Sequence, residues 1–113
     1  MAFRNASISS IVANALTTLY TVPANYEAVC HSIFVANTDS INSISISVTV
    51  TPTKILKPAQ VIATNIVVPA GTTFEIDKSI NLRETDIISI TSSATTCTVF
   101  ASILLVAADT VAP

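Results

Sequence analysis

Hydrophobic and polar residues alternate strictly through residues 43–51, where four Ile and Val residues are separated by Ser and Thr. Successive side chains of a β-strand point to opposite faces, so this period of two predicts a strand with one buried face and one hydroxyl-coated face. Residues 27–37 instead place apolar side chains on both faces of a strand. That pattern predicts a central strand that is covered on both faces.

Turn residues, chiefly Pro, Asn, Asp, Ser and the single Gly, divide the rest of the chain into short apolar segments of the same kind. No segment has a convincing helical period. Residues 80–85, with most of their charge in Arg83 and Glu84, are predicted to form a loop. The predicted strands are residues 3–12, 16–22, 27–37, 43–51, 60–68, 72–79, 86–92 and 96–106.

About eight strands in one chain predict an all-β fold, an antiparallel β-sandwich of the jelly-roll type. A seven-stranded immunoglobulin-like sandwich is the alternative, although the chain has no Trp and its two cysteines only faintly resemble the pair of that fold. Residues 1–106 are predicted to form one domain. Residues 107–113 are predicted to be a C-terminal tail, either disordered or docked as an arm on a neighbouring subunit.

The composition supports strands throughout the chain. Of 113 residues, 15 are Ile, 12 are Val and 16 are Thr. Branching at Cβ restricts the χ1 angle, disfavours helix and suits the surface of a pleated sheet.

Charge is scarce, since 11% of the residues are charged against roughly 25% in an average soluble protein. A small domain cannot bury so much apolar surface alone, so we expect part of it to lie between subunits. A monomer with a Ser- and Thr-coated surface is the alternative. The five basic residues are scattered, which argues against nucleic-acid binding. The sequence has neither a membrane-spanning apolar run nor a signal peptide, so we expect synthesis in a cytoplasm.

The sequence offers little catalytic or metal-binding chemistry. One His and two distant Cys do not have the spacing of a metal site, and one Gly cannot form a phosphate-binding loop. We therefore expect no catalytic residue, metal or cofactor. His31 is expected to be buried or at an interface, and Cys30 and Cys97 to be buried free thiols, although a disulfide between facing strands stays open.

One neighbourhood is charged, and it contains Asp77, Arg83, Glu84 and Asp86. It is expected to be a solvated turn, because the Gly and Asn pattern of a calcium loop is missing. A calcium or carbohydrate site is the alternative reading. Tyr20 and Tyr26 flank the turn at Pro23, where they either cap the core, form a contact or stack on a sugar.

Three stretches together resemble a family of small virion structural proteins from tailed bacteriophages, chiefly marine ones. They are residues 19–24 (LYTVPA) with 28–37 (AVCHSIFVAN), residues 68–72 (VPAGT), and residues 80–88 (INLRETDII) running into 100–104 (FASIL). The resemblance covers most of the chain in order, from about Phe3 to Val106. Where the family often has Gly in the turn after Glu84, this chain has Thr85.

The resemblance implies a non-enzymatic virion component, most simply a capsid decoration or cement protein on the capsid surface, made in the host bacterial cytoplasm. Its implied partners are the major capsid protein and copies of itself, with a homotrimer favoured, and neither nucleic acid nor membrane. The residues expected to contact partners are Lys54, Ile55, Leu56, Lys57, Tyr20 and Tyr26.

The alternative is a tail, neck-fibre or spike module that binds host-surface glycans. Its candidate residues are Tyr20, Tyr26, His31 and the charged segment from Asp77 to Asp86. A third hypothesis, a hydrolytic enzyme, requires a pocket that combines His31 with a hydroxyl and a carboxylate.

Overall fold

The structure, a computed structural model, describes residues 2–8, 11–53 and 58–107. This part of the chain consists of β-strands joined by turns and contains no helix, so no described segment is a helix able to span a membrane. The strands are β1 (Ala2–Ile8), β2 (Thr17–Thr21), β3 (Tyr26–Asn37), β4 (Ile44–Thr51), β5 (Gln60–Val68), β6 (Thr73–Ile76), β7 (Ile80–Leu82), β8 (Ile87–Ser92) and β9 (Cys97–Ala107).

The nine strands form two antiparallel sheets that pack as a sandwich. Sheet A has the order β1-β9-β3-β6, with β7 also paired to β3, and sheet B has the order β2-β8-β4-β5. Because β6 and β7 bind successive parts of the same edge of β3, they act as one interrupted edge strand. Each sheet then has four strands in jelly-roll order, which confirms the predicted fold.

The core lies between the two sheets and consists almost wholly of Ile, Val and Leu. In β4 the even-numbered Ile and Val side chains from Ile44 to Val48 are buried, whereas Ser45 and Ser47 face outward on the hydroxyl-coated side that alternation predicts. The side chains buried most completely include Ile33, Ile46, Leu82, Ile88, Ile90 and Ile103.

Two strand predictions were wrong in part. Residues 80–85 were expected to be a loop, but Ile80–Leu82 form β7, because the free edge of β3 offers hydrogen-bonding partners to a segment only three residues long. The first strand was expected to reach residue 12, but β1 ends at Ile8. The chain must cross there from sheet A to sheet B, and Asn14 takes a positive φ of 59° in the turn.

The expectation that both faces of β3 are covered was also wrong for the single chain. β3 is an interior strand of sheet A, between β9 and the β6–β7 edge, but only one of its faces meets the core. A bulge between Cys30 and Ser32 shifts the register and leaves His31 exposed. An exposed side chain on an interior strand faces outward, so His31 is not buried within the chain. The other expectation, a position at an interface, stays a prediction.

The connections between strands collect at the two ends of the sandwich. At one end the β1–β2, β3–β4, β5–β6 and β8–β9 connections are joined by backbone hydrogen bonds, including Asn14 N to Ser92 O at 2.7 Å and Gly71 N to Asp39 O at 2.9 Å. At the other end Val22 N donates to Asp86 O at 3.0 Å, which joins the β2–β3 and β7–β8 connections.

Candidate functional site

The β7–β8 turn carries most of the charge at the second end of the sandwich, which we call the charged end. Asp86 is buried, and its Oδ2 accepts a hydrogen bond from Arg83 N at 2.9 Å. Glu84 Oε2 accepts one from Asn25 N at 2.7 Å, which ties this turn to the β2–β3 connection. The two carboxylates therefore serve as acceptors for backbone N–H groups, the arrangement expected of a structural turn.

Asp77 lies apart from this turn, in the break between β6 and β7. Within the described residues no group of three or more His, Cys, Asp or Glu side chains is arranged to hold a metal ion. The charged segment that the sequence singled out is thus divided by β7 into two separate places.

Thr85 is the strained residue of the charged end. Its φ of 64° lies in the left-handed region, which is unfavourable for a β-branched side chain. Thr53 Oγ1 donates to Thr85 O at 2.8 Å and also contacts Thr85 Oγ1. These contacts anchor the start of the β4–β5 connection on the β7–β8 turn.

Lys54, Ile55, Leu56 and Lys57 of that connection lie outside the described residues, so their predicted role as contacts stays a prediction. The same holds for the tail beyond Ala107, the last residue of β9.

The two candidate tyrosines occupy different environments. Tyr20 packs half-buried against the core from β2, and burial raises the pKa of its phenol above the ordinary value although Arg4 nearby acts to lower it. Tyr26 begins β3 at the charged end and is 42% exposed. Since Tyr20 faces the core and His31 lies on the outer face of sheet A, the residues proposed for glycan binding do not form one patch.

A shallow groove of about 330 Å³ borders the charged end on the outer side of sheet A. Glu27 and Arg83 supply its charge, while Val29 and Val106 form an apolar part of its wall. His31 is not among the described residues that line it, so this groove does not combine the histidine, hydroxyl and carboxylate that a hydrolase site requires.

The cysteines are two separate buried thiols, as predicted. Cys30 pairs in register with Ile103, whereas Cys97 pairs with Asn37 at the far end of β3. Six residues of β9, roughly 20 Å, separate the two positions, which is far beyond the reach of a disulfide.

A surface that the sequence analysis missed is the outer face of sheet A, which we call the phenylalanine face. It contains Phe3, Phe34 and Phe100, three of the four phenylalanines in the chain. Phe100 lies directly opposite Phe34, and Leu104 links Phe3 to Val29 in a second apolar row. A signal was present in the sequence, because Phe100 stands between Val99 and Ala101, so alternation places it on the opposite face from these two residues.

The other end of the sandwich, which we call the apolar end, has exposed Val12, Leu16 and Ile41 in its connections. Ile41 is 83% exposed, yet the loop that carries it is well ordered by hydrogen bonds. Asp39 Oδ1 accepts from Ile41 N at 2.8 Å and from Asn42 N at 3.1 Å. These bonds hold the pKa of the Asp39 carboxyl below its ordinary value.

No protein-family model and no curated protein matches the sequence. A chain from the crystal structure of the IBDV viral particle resembles the fold with a TM-score of 0.55 and 14% identity, over 91% of this chain and 30% of that one. A pentameric capsid protein from metagenomic phage sequences has a TM-score of 0.43 and 17% identity, over 93% of this chain and 63% of that one.

A Clostridium thermocellum xylanase, crystallised as two modules with xylohexaose, has a TM-score of 0.40 and 21% identity, over 83% of this chain and 19% of that one.

The chain described here spans less than a third of the IBDV particle protein that it resembles. At 14% identity the likeness shows the fold alone. The chain has the sandwich fold that forms part of a virus-particle protein.

Proposed function

We propose that this protein is a non-enzymatic structural component of a bacteriophage particle, a decoration or cement protein that stabilises the major capsid shell. The observation that carries the proposal is a jelly-roll fold with much exposed apolar surface, including Phe3, Tyr26 and Ile41, none of which lines the groove at the charged end. Surface of this kind marks contacts with other proteins more often than sites for small molecules.

The charged end is the surface that we propose to face the shell. Tyr26 is exposed there, Arg83 and Glu27 border the groove beside it, and the connection that contains Lys54 and Lys57 leaves from Thr53 at the same end. Tyrosine and arginine are enriched at protein–protein contacts, and charges at the rim of a contact guide association and select the partner.

Several copies acting together explain how so small a domain stabilises a shell. We propose a homotrimer that bridges neighbouring capsid subunits. A protein that binds only to the assembled shell lowers the free energy of the shell relative to the dissociated subunits, and three chains make more such contacts than one. The scarcity of charge, 11% of all residues, is consistent with surface that is buried between copies.

The test is co-sedimentation of the purified protein with assembled shells of the major capsid protein from the same virus. We expect saturable binding, and shells that carry the protein should open at a higher temperature than bare shells. Light scattering on a sizing column should give three times the chain mass of 11.8 kDa, or six times that mass where two trimers pair through a second surface. Absence of binding to intact shells by the folded protein would refute the decoration role.

Variants at the charged end make this test specific. Two variants should each weaken shell binding about tenfold, the effect of losing roughly 1.4 kcal/mol. One is Tyr26→Asp, and the other is the double variant Lys54→Glu with Lys57→Glu. Val67→Asp, which adds a charge on the outer face of sheet B, should bind like the wild type. Equal binding by all of these variants would move the shell contact to another surface.

A further inference from the structure

We infer that the phenylalanine face is a two-fold contact through which two copies of this chain pair. The inference goes beyond the proposed function, because the pairing does not depend on a shell or on the charged end. It is also compatible with the proposed trimer, since a chain can use one surface around a three-fold axis and another across a two-fold axis.

The apolar side chains of this face lie in two rows across the sheet. Phe3, Leu104 and Val29 occupy one row, and Phe100 and Phe34 occupy another. Phe3 is 79% exposed and Phe100 is 42% exposed. Phenylalanine buries a large area and has no polar group to satisfy in water, so several such side chains on one face favour burial against another apolar surface.

The size of the face is appropriate for a second copy. The four strand positions of sheet A, about 4.8 Å apart, span roughly 19 Å, and β9 from Thr98 to Val106 spans about 26 Å at roughly 3.3 Å per residue. Two such faces in contact would bury about 1,000 Å² in total, close to the lower limit for a specific protein–protein contact. Twisted sheets pack face to face with a separation of about 10 Å.

The distribution of charge also favours an identical partner. A two-fold contact places the residues close to its axis beside their own copies, so a charge at the centre would meet a like charge. The row between the two apolar rows contains the uncharged side chains Asn5, Ser102 and Ser32, and His31 is exposed in the bulge beside Ser32. Glu27 and Glu75 lie at the margins of the face, opposite Val106 and Phe34 respectively.

The outer face of sheet B is a poor alternative for such pairing. Its central positions are hydroxyl side chains, among them Ser47, Ser89, Thr49 and Thr91. Ser89 and Thr49 are already buried by their neighbours within the single chain, and the exposed aliphatic side chains Val61, Ile62 and Val67 lie on the edge strand β5. A second layer over the centre of sheet B would therefore remove little further apolar surface from water.

The test is the mass of wild type and Phe100→Glu in solution, by light scattering on a sizing column. We expect the variant to have half the mass of the wild type, a dimer becoming a monomer or a hexamer becoming a trimer. The matched control is Val67→Glu, which replaces an aliphatic side chain that is 62% exposed on sheet B, and its mass should equal that of the wild type. Circular dichroism establishes that each variant is folded.

Cross-linking provides a second measurement that does not depend on destabilising the face. Ser102→Cys places a thiol at the centre of the face, and a bismaleimide that spans about 10 Å should join two such chains. Thr91→Cys on sheet B is the control and should stay uncross-linked. The native Cys30 and Cys97 are 0% and 1% exposed, so they should not react.

A monomeric wild type, or equal mass for wild type and Phe100→Glu, would overturn the inference. The inference would also be overturned if the control Thr91→Cys were cross-linked as efficiently as Ser102→Cys. Failure of the pairing is distinguishable from failure of the decoration role, because shell binding is measured in a separate experiment. The variants of the shell-binding experiment lie at the charged end and on sheet B, and none lies on the phenylalanine face. Binding to shells by a protein that does not pair would overturn the pairing alone.

Discussion

The side-chain amide of Asn37 donates a hydrogen bond of 3.0 Å to the backbone carbonyl of Val68, joining the last residue of β3 in sheet A to the last residue of β5 in sheet B. The same amide donates to Asn42 O at 2.8 Å, and Asn37 Oδ1 accepts from Asp39 N at 3.0 Å. Asn37 is 2% exposed, so these bonds lie in the interior at the apolar end. One buried side chain therefore links both sheets to the loop that carries Ile41.

Asn37→Ala should lower the free energy of unfolding by about 3 kcal/mol, because it removes three hydrogen bonds, one of them to the buried carbonyl of Val68. Chemical denaturation measures this value. Asn42→Ala is the control, since the Asn42 side chain makes one exposed hydrogen bond of 3.3 Å to Asp39, and its effect should stay within about 0.5 kcal/mol. Equal stabilities for the two variants would contradict a central role for Asn37.

Thr85 provides a test of backbone strain at the charged end. Thr85→Ala keeps the positive φ and loses the hydroxyl beside Thr53, so it should destabilise the protein by about 1–2 kcal/mol. Thr85→Gly also loses the hydroxyl but relieves the strain, so it should be about 1 kcal/mol more stable than Thr85→Ala. Thermal denaturation of the two variants side by side measures the difference, and a less stable Gly variant would show that φ is not strained.

Stability should fall at alkaline pH because of Cys30. Burial raises the pKa of its thiol to about 11 from an ordinary value of 9.0. The unfolded chain therefore loses this proton first as pH rises, so the stabilising contribution is complete below pH 9.0 and is lost between 9.0 and about 11. The check is the urea midpoint at intervals from pH 8 to 11, and Cys30→Ala should show a shallower decline. A parallel decline in both proteins would assign the effect to other groups.

Substitution of two isoleucines separates the core from the surface. Ile90→Ala removes a fully buried side chain of β8 and should cost about 3 kcal/mol of unfolding free energy, the usual effect of a cavity at such a site. Ile41→Ala at the apolar end, where the side chain is exposed, should change stability by less than about 0.5 kcal/mol. A large effect of Ile41→Ala in the purified protein would indicate that this side chain is buried between copies.

Local pattern was sufficient wherever a strand has one buried and one outward face. The alternation in β4 predicted its hydroxyl face and its bounds to within one residue, and Pro69 and Gly71 marked the end of β5 and the turn before β6. The same reasoning failed for Ile80–Leu82, whose three residues are too few to show a period. It also failed to show that only one face of β3 meets the core. An apolar outer face has the same sequence pattern whether the chain itself or another molecule covers it.

The sequence by itself determined that this protein is built of strands, approximately where they run, and that it has two cysteines and little charge. Only the tertiary structure decided that β1 lies beside β9, that Tyr20 and His31 lie on different faces, that Asn37 joins the sheets, and that three phenylalanines share one surface. The physical reason is that strand formation depends on side chains close in the sequence. Strand order depends on hydrogen bonds between residues as distant as Phe3 and Leu104, which no local period encodes.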